Sequence, residues 1–146
     1  MSDILIINGP NLNMLGQREP EKYGKLTLAD IEKNIKQIAS ENNLTTDFFQ
    51  SNHEGEIIDK IQQTKTQFII INPAAYTHTS IAIRDALLAI NKPFIEIHLT
   101  NIYNREQFRS KSYLSDIAYG CIFGLGSNGY NLAILEAINY IKNKGV

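Results

Sequence analysis

A chain of 146 residues with 43% apolar content is long enough to bury a core, which excludes a disordered or low-complexity protein. Its formal net charge of −1 offers no basic face for nucleic acid or an anionic membrane. The lone cysteine, Cys121, excludes an internal disulfide, and within the apolar run YGCIFGLG it reads as a small buried hydrophobe.

No run of eighteen apolar residues and no basic-apolar leader is present. The expectation is a soluble cytoplasmic protein folded as one domain over residues 1–146. The run DILII reads as a buried first strand. It leads into Asn8 to Gly24, NGPNLNMLGQREPEKYG, whose three Asn, three Gly and two Pro suit a core poorly. A connection this long is uncommon in a compact domain and is usually a lid or binding loop, with Arg18 and Tyr23 as its chemical groups.

Thr27 to Asn42 predicts a helix: Leu28, Ile31, Ile35 and Ile38 stack on one face, and Thr27-Leu28-Ala29-Asp30 has the form of a capping box. Leu44 to Gln50 reads as a second strand and Glu54 to Thr66 as a helix buried on Ile57, Ile58 and Ile61. Phe68 to Ile71 has the look of a central strand covered on both faces. Asn72 to Ser80, NPAAYTHTS, is a polar loop before a short helix over Ile81 to Ile90, stopped by Asn91-Lys92-Pro93. Phe94 to Leu99 is a fourth strand. Thr100 to Asp116 is irregular and charged, with a helical turn expected at Asn104 to Arg109. Tyr119 to Gly124 is a fifth strand, and Asn128 to Asn143 a closing helix with Leu132, Leu135, Ile138 and Ile141 inward.

This alternation predicts an α/β fold: a flavodoxin-like, five-stranded parallel sheet in the order 2-1-3-4-5 with helices on both faces. In such sheets ligands bind outside the carboxyl ends of the strands, near the switch point between strands one and three. The segments after strands one, three and four meet at that edge, and they are the most chemically loaded in the chain. A site is expected there.

Glu96 and His98 stand two apart on the fourth strand, so both side chains take the same face. A carboxylate beside an imidazole holds one tautomer and favours the protonated ring, as a general acid requires; a structural ion pair fits the spacing equally well. Arg18 and Tyr23 read either as a guanidinium favouring a phenolate base or as solvated loop side chains. Asn11 and Asn72 can each fix a hydroxyl, a carboxylate oxygen or a water, or simply form Asx turns. His78, just before a helix, either binds an anion there or simply caps the helix, and ligand contact is the reading favoured. Arg105 and Arg109, four apart, share a face if their turn is helical and can then clamp a carboxylate; a charged surface turn competes. Thr100 and the amide of Leu99, just past a strand end, suit an anion. The glycines 124, 126 and 129 follow the last strand rather than the first, so they make a poor nucleotide fingerprint. His53, His78 and His98 have no paired spacing, and no metal set emerges.

Taken together, NGPNLNMLGQREPEKYG, QSNHEGEIIDKI, NPAAYTHTSIAIRDAL, IEIHLTNIYNREQFRSKSYLSDIA and GLGSNGYNLAIL resemble one family over the whole chain: type II dehydroquinase, the 3-dehydroquinate dehydratase of the shikimate and quinate pathways. The resemblance implies a cofactor-free anti elimination through an enolate. Tyr23 is then the phenolate base, Arg18 lowers its pKa, and Asn11 holds a water against the enolate oxygen. His98 protonates the departing hydroxyl with Glu96 orienting its ring. Asn72, Leu99 and Thr100 meet the substrate carboxylate, and His78 and Arg109 the ring hydroxyls. Asp85 is supplied to a neighbouring subunit's site, Arg105 interacts with the closed lid, and the assembly is a homododecamer, a tetramer of trimers. No lysine should be essential. Ala74 stands where the family commonly has Gly, Thr100 where Ser is usual, and Tyr103-Asn104 where a His-Ala pair is expected.

The rivals fare worse. A receiver module wants acidic residues at the ends of strands one and three, and those ends carry Asn8 and Asn72. A flavin binder wants a Ser/Thr-rich phosphate loop after strand one, and an acyl hydrolase wants G-x-S-x-G. Neither is present.

Overall fold

Runs of isoleucine flanked by polar turns become the middle of a parallel sheet, because β-branched side chains fit a pleated surface covered on both faces. The computed structural model describes residues 1–17, 19, 21 and 25–144, so Arg18 and Tyr23 of the expected lid lie outside the described residues. The strands are β1 (Ile4–Asn8), β2 (Thr46–Gln50), β3 (Phe68–Asn72), β4 (Phe94–His98) and β5 (Gly120–Phe123). All neighbours pair in parallel, in the expected order β2-β1-β3-β4-β5. Every residue of β1, β3 and β4 is buried, whereas β2 and β5, at the edges, are only partly covered.

The helices are α1 (Leu28–Glu41), α2 (Glu54–Gln63), α3 (Ile81–Ile90) and α4 (Asn128–Lys142). Strand alternation sends Ile4, Ile6, Ile70 and Ile97 to one layer, where Ile31 and Ile35 of α1 and Ile134 and Ile138 of α4 cover them. Leu5, Ile7, Ile69 and Ile71 go to the other, beneath Ile57 and Ile61 of α2 and Ile83 and Leu87 of α3. Each such side chain contributes about 1.5–3 kcal/mol by leaving water. The two helix layers make this a doubly wound, flavodoxin-like α/β fold.

Three expectations need correcting. Leu132 and Leu135 of α4 are 39% and 51% exposed; Ile138 is buried as expected, on a face completed by Tyr130, Ala133, Ile134 and Ala137. Small residues decide this. Gly129 lets the helix approach so closely that an added Cβ would lie 3.3 Å from Ile97 and Ile122, and large apolar residues alone misjudge such a face. Cys121 is exposed because β5 is an edge strand, not a buried one. In the loop after β1, Leu12 and Leu15 are buried in the core, so its first half is packed down around a short 3-10 turn at Leu12–Met14.

Boundaries otherwise shift by a few residues, as fraying ends do. The expected capping box at Thr27 is present: the Thr27 hydroxyl accepts from the Asp30 amide, and the Asp30 carboxylate accepts from the Thr27 amide. The irregular stretch after β4 folds into 3-10 turns at Ile102–Asn104, Gln107–Arg109 and Ser115–Ile117.

Candidate active site

β1 and β3 end in register on Asn8 and Asn72, and their chains separate there into opposite directions. The turn between them is tight enough that a Cβ on Gly9 would meet the Pro73 carbonyl at 2.5 Å, so only glycine fits. Asn8 and Asn72 are held from below by Tyr130 of α4, which is fully buried. Its hydroxyl donates to Asn8 Oδ1 (2.6 Å) and accepts from Asn72 Nδ2 (3.0 Å). Burial pushes the Tyr130 phenol far above its ordinary range, so it stays neutral and structural. Asn72 Oδ1 also accepts from the Ala74 amide (3.1 Å), so the Asx turn is present.

Above this point the segments after β1, β3 and β4 enclose a cleft of about 110 Å³. Roughly 10–15 Å³ admits one water, so the space suits a small organic molecule. Asn11, Asn72, His78, His98, Leu99, Thr100, Arg105 and Arg109 are among the residues that line it. Topology has thus gathered eight of the expected residues at the predicted edge.

His98 and Glu96 are the buried pair expected on one face of β4. His98 Nε2 donates to Glu96 Oε2 at 2.6 Å, and Glu96 is wholly inaccessible. The carboxylate further accepts from Ser112 Oγ, 3.0 Å from each of its oxygens, and from Ser115 Oγ at 2.6 Å. Beside it the His78 ring stacks on His98 at 6.4 Å between centroids. His78 Nδ1 donates to the Lys111 carbonyl at 2.7 Å. Burial holds the His78 pKa below its ordinary value, with His98 and Arg109 adding to the shift, so the neutral ring keeps Nε2 as an acceptor. Ser80, not His78, caps α3.

Arg105 and Arg109 both reach the cleft, but not as a helical pair. Arg105 is extended (φ −134°, ψ −164°) between two separate 3-10 turns, so the four-residue spacing puts neither on a shared helix face. Arg105 Nη1 lies 3.5 Å from Thr100 Oγ1, and Arg109 Nε donates to Glu106 at 3.0 Å. Asn11 adopts the left-handed conformation (φ 70°), and its amide donates to Asn52 Oδ1 at 3.0 Å. Asn52 is in turn tied to Tyr76, whose hydroxyl donates to its carbonyl at 2.8 Å.

Asp85 is not brought to this cleft; it is exposed on α3. Arg18 and Tyr23 belong to the residues outside the description. The reading from sequence missed Asn8, Asn52, Ser112, Ser115 and Tyr130. The shared terminal Asn of β1 and β3 was a usable signal; the serines, 16 and 19 residues from Glu96, had none.

The family description "Dehydroquinase class II" matches residues 2–138. A 3-dehydroquinate dehydratase of Francisella tularensis subsp. novicida is 73% identical over 143 residues, covering 98% of this chain and 99% of that protein. The crystal structure of type II dehydroquinase from Butyrivibrio crossotus superposes with a TM-score of 0.90 at 44% identity, over 94% of this chain and 97% of that one. That from Propionibacterium acnes gives 0.90 at 39% identity, over 95% and 97%. With its switch-point cleft, its buried Glu96–His98 pair and these relatives, the chain belongs to the class II dehydroquinase family.

Proposed function

We propose that this chain is a single-domain type II 3-dehydroquinate dehydratase, a hydro-lyase converting 3-dehydroquinate to 3-dehydroshikimate in the shikimate or quinate pathway. The observation that carries this reading is the Glu96–His98 pair at the cleft where the loops after β1, β3 and β4 converge.

The chemistry needs no cofactor, because the substrate's own ketone accepts the electrons of the broken C–H bond. Tyr23, as phenolate beside Arg18, removes a proton from the carbon α to the ketone, giving an enolate. Asn11 holds a water against the enolate oxygen, stabilising the charge that develops. The enolate re-forms the ketone as the tertiary hydroxyl departs, and His98 supplies the proton that makes it water. Glu96 keeps the imidazolium oriented. Anti geometry sets base and acid on opposite faces of the ring. Asn72, Leu99 and Thr100 receive the substrate carboxylate, and His78 and Arg109 its hydroxyls; Arg105 belongs with the lid.

Asp85 is read as a contribution to a neighbouring subunit's site within a homododecamer, a tetramer of trimers. In support, α3 exposes Ile81 (56%) and Leu88 (50%) with Ala82 and Ala89 around Asp85, an apolar stripe suited to burial against another copy. The cytoplasm is the expected location, tested by fractionation.

The test follows the conjugated enone product by ultraviolet absorbance with 3-dehydroquinate. Wild-type turnover is expected, falling by about 10²–10⁴-fold in both Tyr23→Phe and His98→Ala. Turnover surviving Tyr23→Phe overturns the base assignment, and a folded wild type without turnover overturns the reaction.

A further inference from the structure

Glu96 presents a problem that His98 alone does not solve. It is completely buried, and an ionised carboxylate out of water needs several donors to replace its hydration. The cleft loops do not provide them; the segment after the Gln107–Arg109 turn does. Ser115 Oγ lies 2.6 Å from Glu96 Oε1, and Ser112 Oγ lies 3.0 Å from both carboxylate oxygens.

Ser112 is held in one role by its backbone. A hydroxyl has one proton and two lone pairs. Ser112 Oγ accepts from the amides of Leu114 (3.0 Å) and Ser115 (3.1 Å), which occupies both lone pairs. Its proton can only point at Glu96, and it cannot accept a proton from a neutral carboxyl. The turn that makes this arrangement is pinned by Leu114, fully buried in the layer under α2 and α3.

We propose that Ser112 and Ser115 are positioning residues for the proton donor: they hold Glu96 as a pure acceptor and thereby fix His98 with its Nε2 protonated. Nδ1 is then the ring nitrogen that exchanges a proton with the cleft. Without the two hydroxyls the Glu96 oxygens are no longer held in place against Nε2, so neither the orientation nor the tautomer of the ring is fixed. This inference rests on His98 acting as the acid in the proposed reaction.

The test compares Ser112→Ala, Ser115→Ala and the double variant with Ser112→Thr and Ser115→Thr, which retain the hydroxyl. Each alanine variant is expected to lower kcat roughly tenfold, the loss for one hydrogen bond to a charged group, while KM stays within about twofold. The threonine variants should recover most of it. In parallel, ¹⁵N NMR of the His98 ring in ligand-free protein should show Nε2–H in the wild type and mixed tautomers in the double variant. Ser112→Ala also loosens the turn, but Ser115→Ala leaves the amide bonds to Ser112 intact and its fold is checked by circular dichroism. Wild-type kcat in folded Ser115→Ala, a loss confined to KM, or an unchanged Nε2–H signal in the double variant each overturns the proposal. Because the ring measurement uses no substrate, a wild type that fails to turn over would sink the proposed reaction and leave this outcome separately readable.

Discussion

Ala74 sits on the cleft wall with φ 52°, in the left-handed region where a Cβ costs about 1–2 kcal/mol. This gives a physical reason for the glycine expected there from the resemblance. Ala74→Gly relieves the strain but adds chain entropy of about 0.5–1 kcal/mol, so a net gain of about 0.5–1 kcal/mol is predicted. Thermal unfolding should read it as a Tm rise of about 3 °C, and an unchanged or lower Tm would count against the strain. Tyr130 carries the opposite sign. Tyr130→Phe leaves Asn8 Oδ1 and Asn72 Nδ2 buried without the hydroxyl they share, and about 3 kcal/mol of stability is expected to be lost in urea titration. Activity should fall with it, since Asn72 faces the cleft.

Elements are secured by local chemistry at their ends. The α1 start depends on the reciprocal bonds between Thr27 and Asp30, and Thr27 stands three residues after Gly24, the end of the loop expected to be a lid. Removing the cap by Thr27→Ala should cost about 1 kcal/mol, read as a lower urea midpoint at constant slope. Fraying of this end would slacken the loop's anchor, so a rise in KM larger than the change in kcat is expected in the same variant. Equal KM values in the two proteins would separate the helix from the lid. The α4 face teaches a different point. Gly129, Ala133 and Ala137 allow close approach to the sheet, which carries Tyr130 to the strand ends; Leu132 and Leu135 are turned outward as a result.

Stability of the whole molecule should register the half-buried His78. Its folded pKa is depressed by burial, against about 6.5 in an unfolded chain. The unfolded state therefore binds more protons between those two values. The stability is fully present above pH about 6.5 and declines as pH falls toward the folded value. Wild-type Tm should drop more than that of His78→Asn between pH about 7 and 5.5, and parallel curves would remove His78 as the cause. Assembly belongs to this scale too. If the α3 stripe is covered by another copy, Leu88→Lys should shift the sedimentation mass downward, with Asp85-dependent activity lost alongside it.

Periodicity and composition were enough to determine the element order, the parallel sheet and the edge at which the cleft lies, while the family resemblance rested on whole motifs. Strand patterns such as FIIIN and FIEIH are local, as is the two-residue spacing of Glu96 and His98, so each survives in one dimension. What surrounds those residues is not local. Tyr130 reaches Asn8 across 122 positions, Asn52 meets Asn11 across 41, and Ser112 and Ser115 close on Glu96 across 16 and 19. Only tertiary packing decided these, because a helix's inward face is set by which small residues permit close approach and a buried charge by which distant hydroxyls can reach it. The exposure of Cys121 was likewise settled by β5 lying at the sheet edge, a property of strand order rather than of the residues around it.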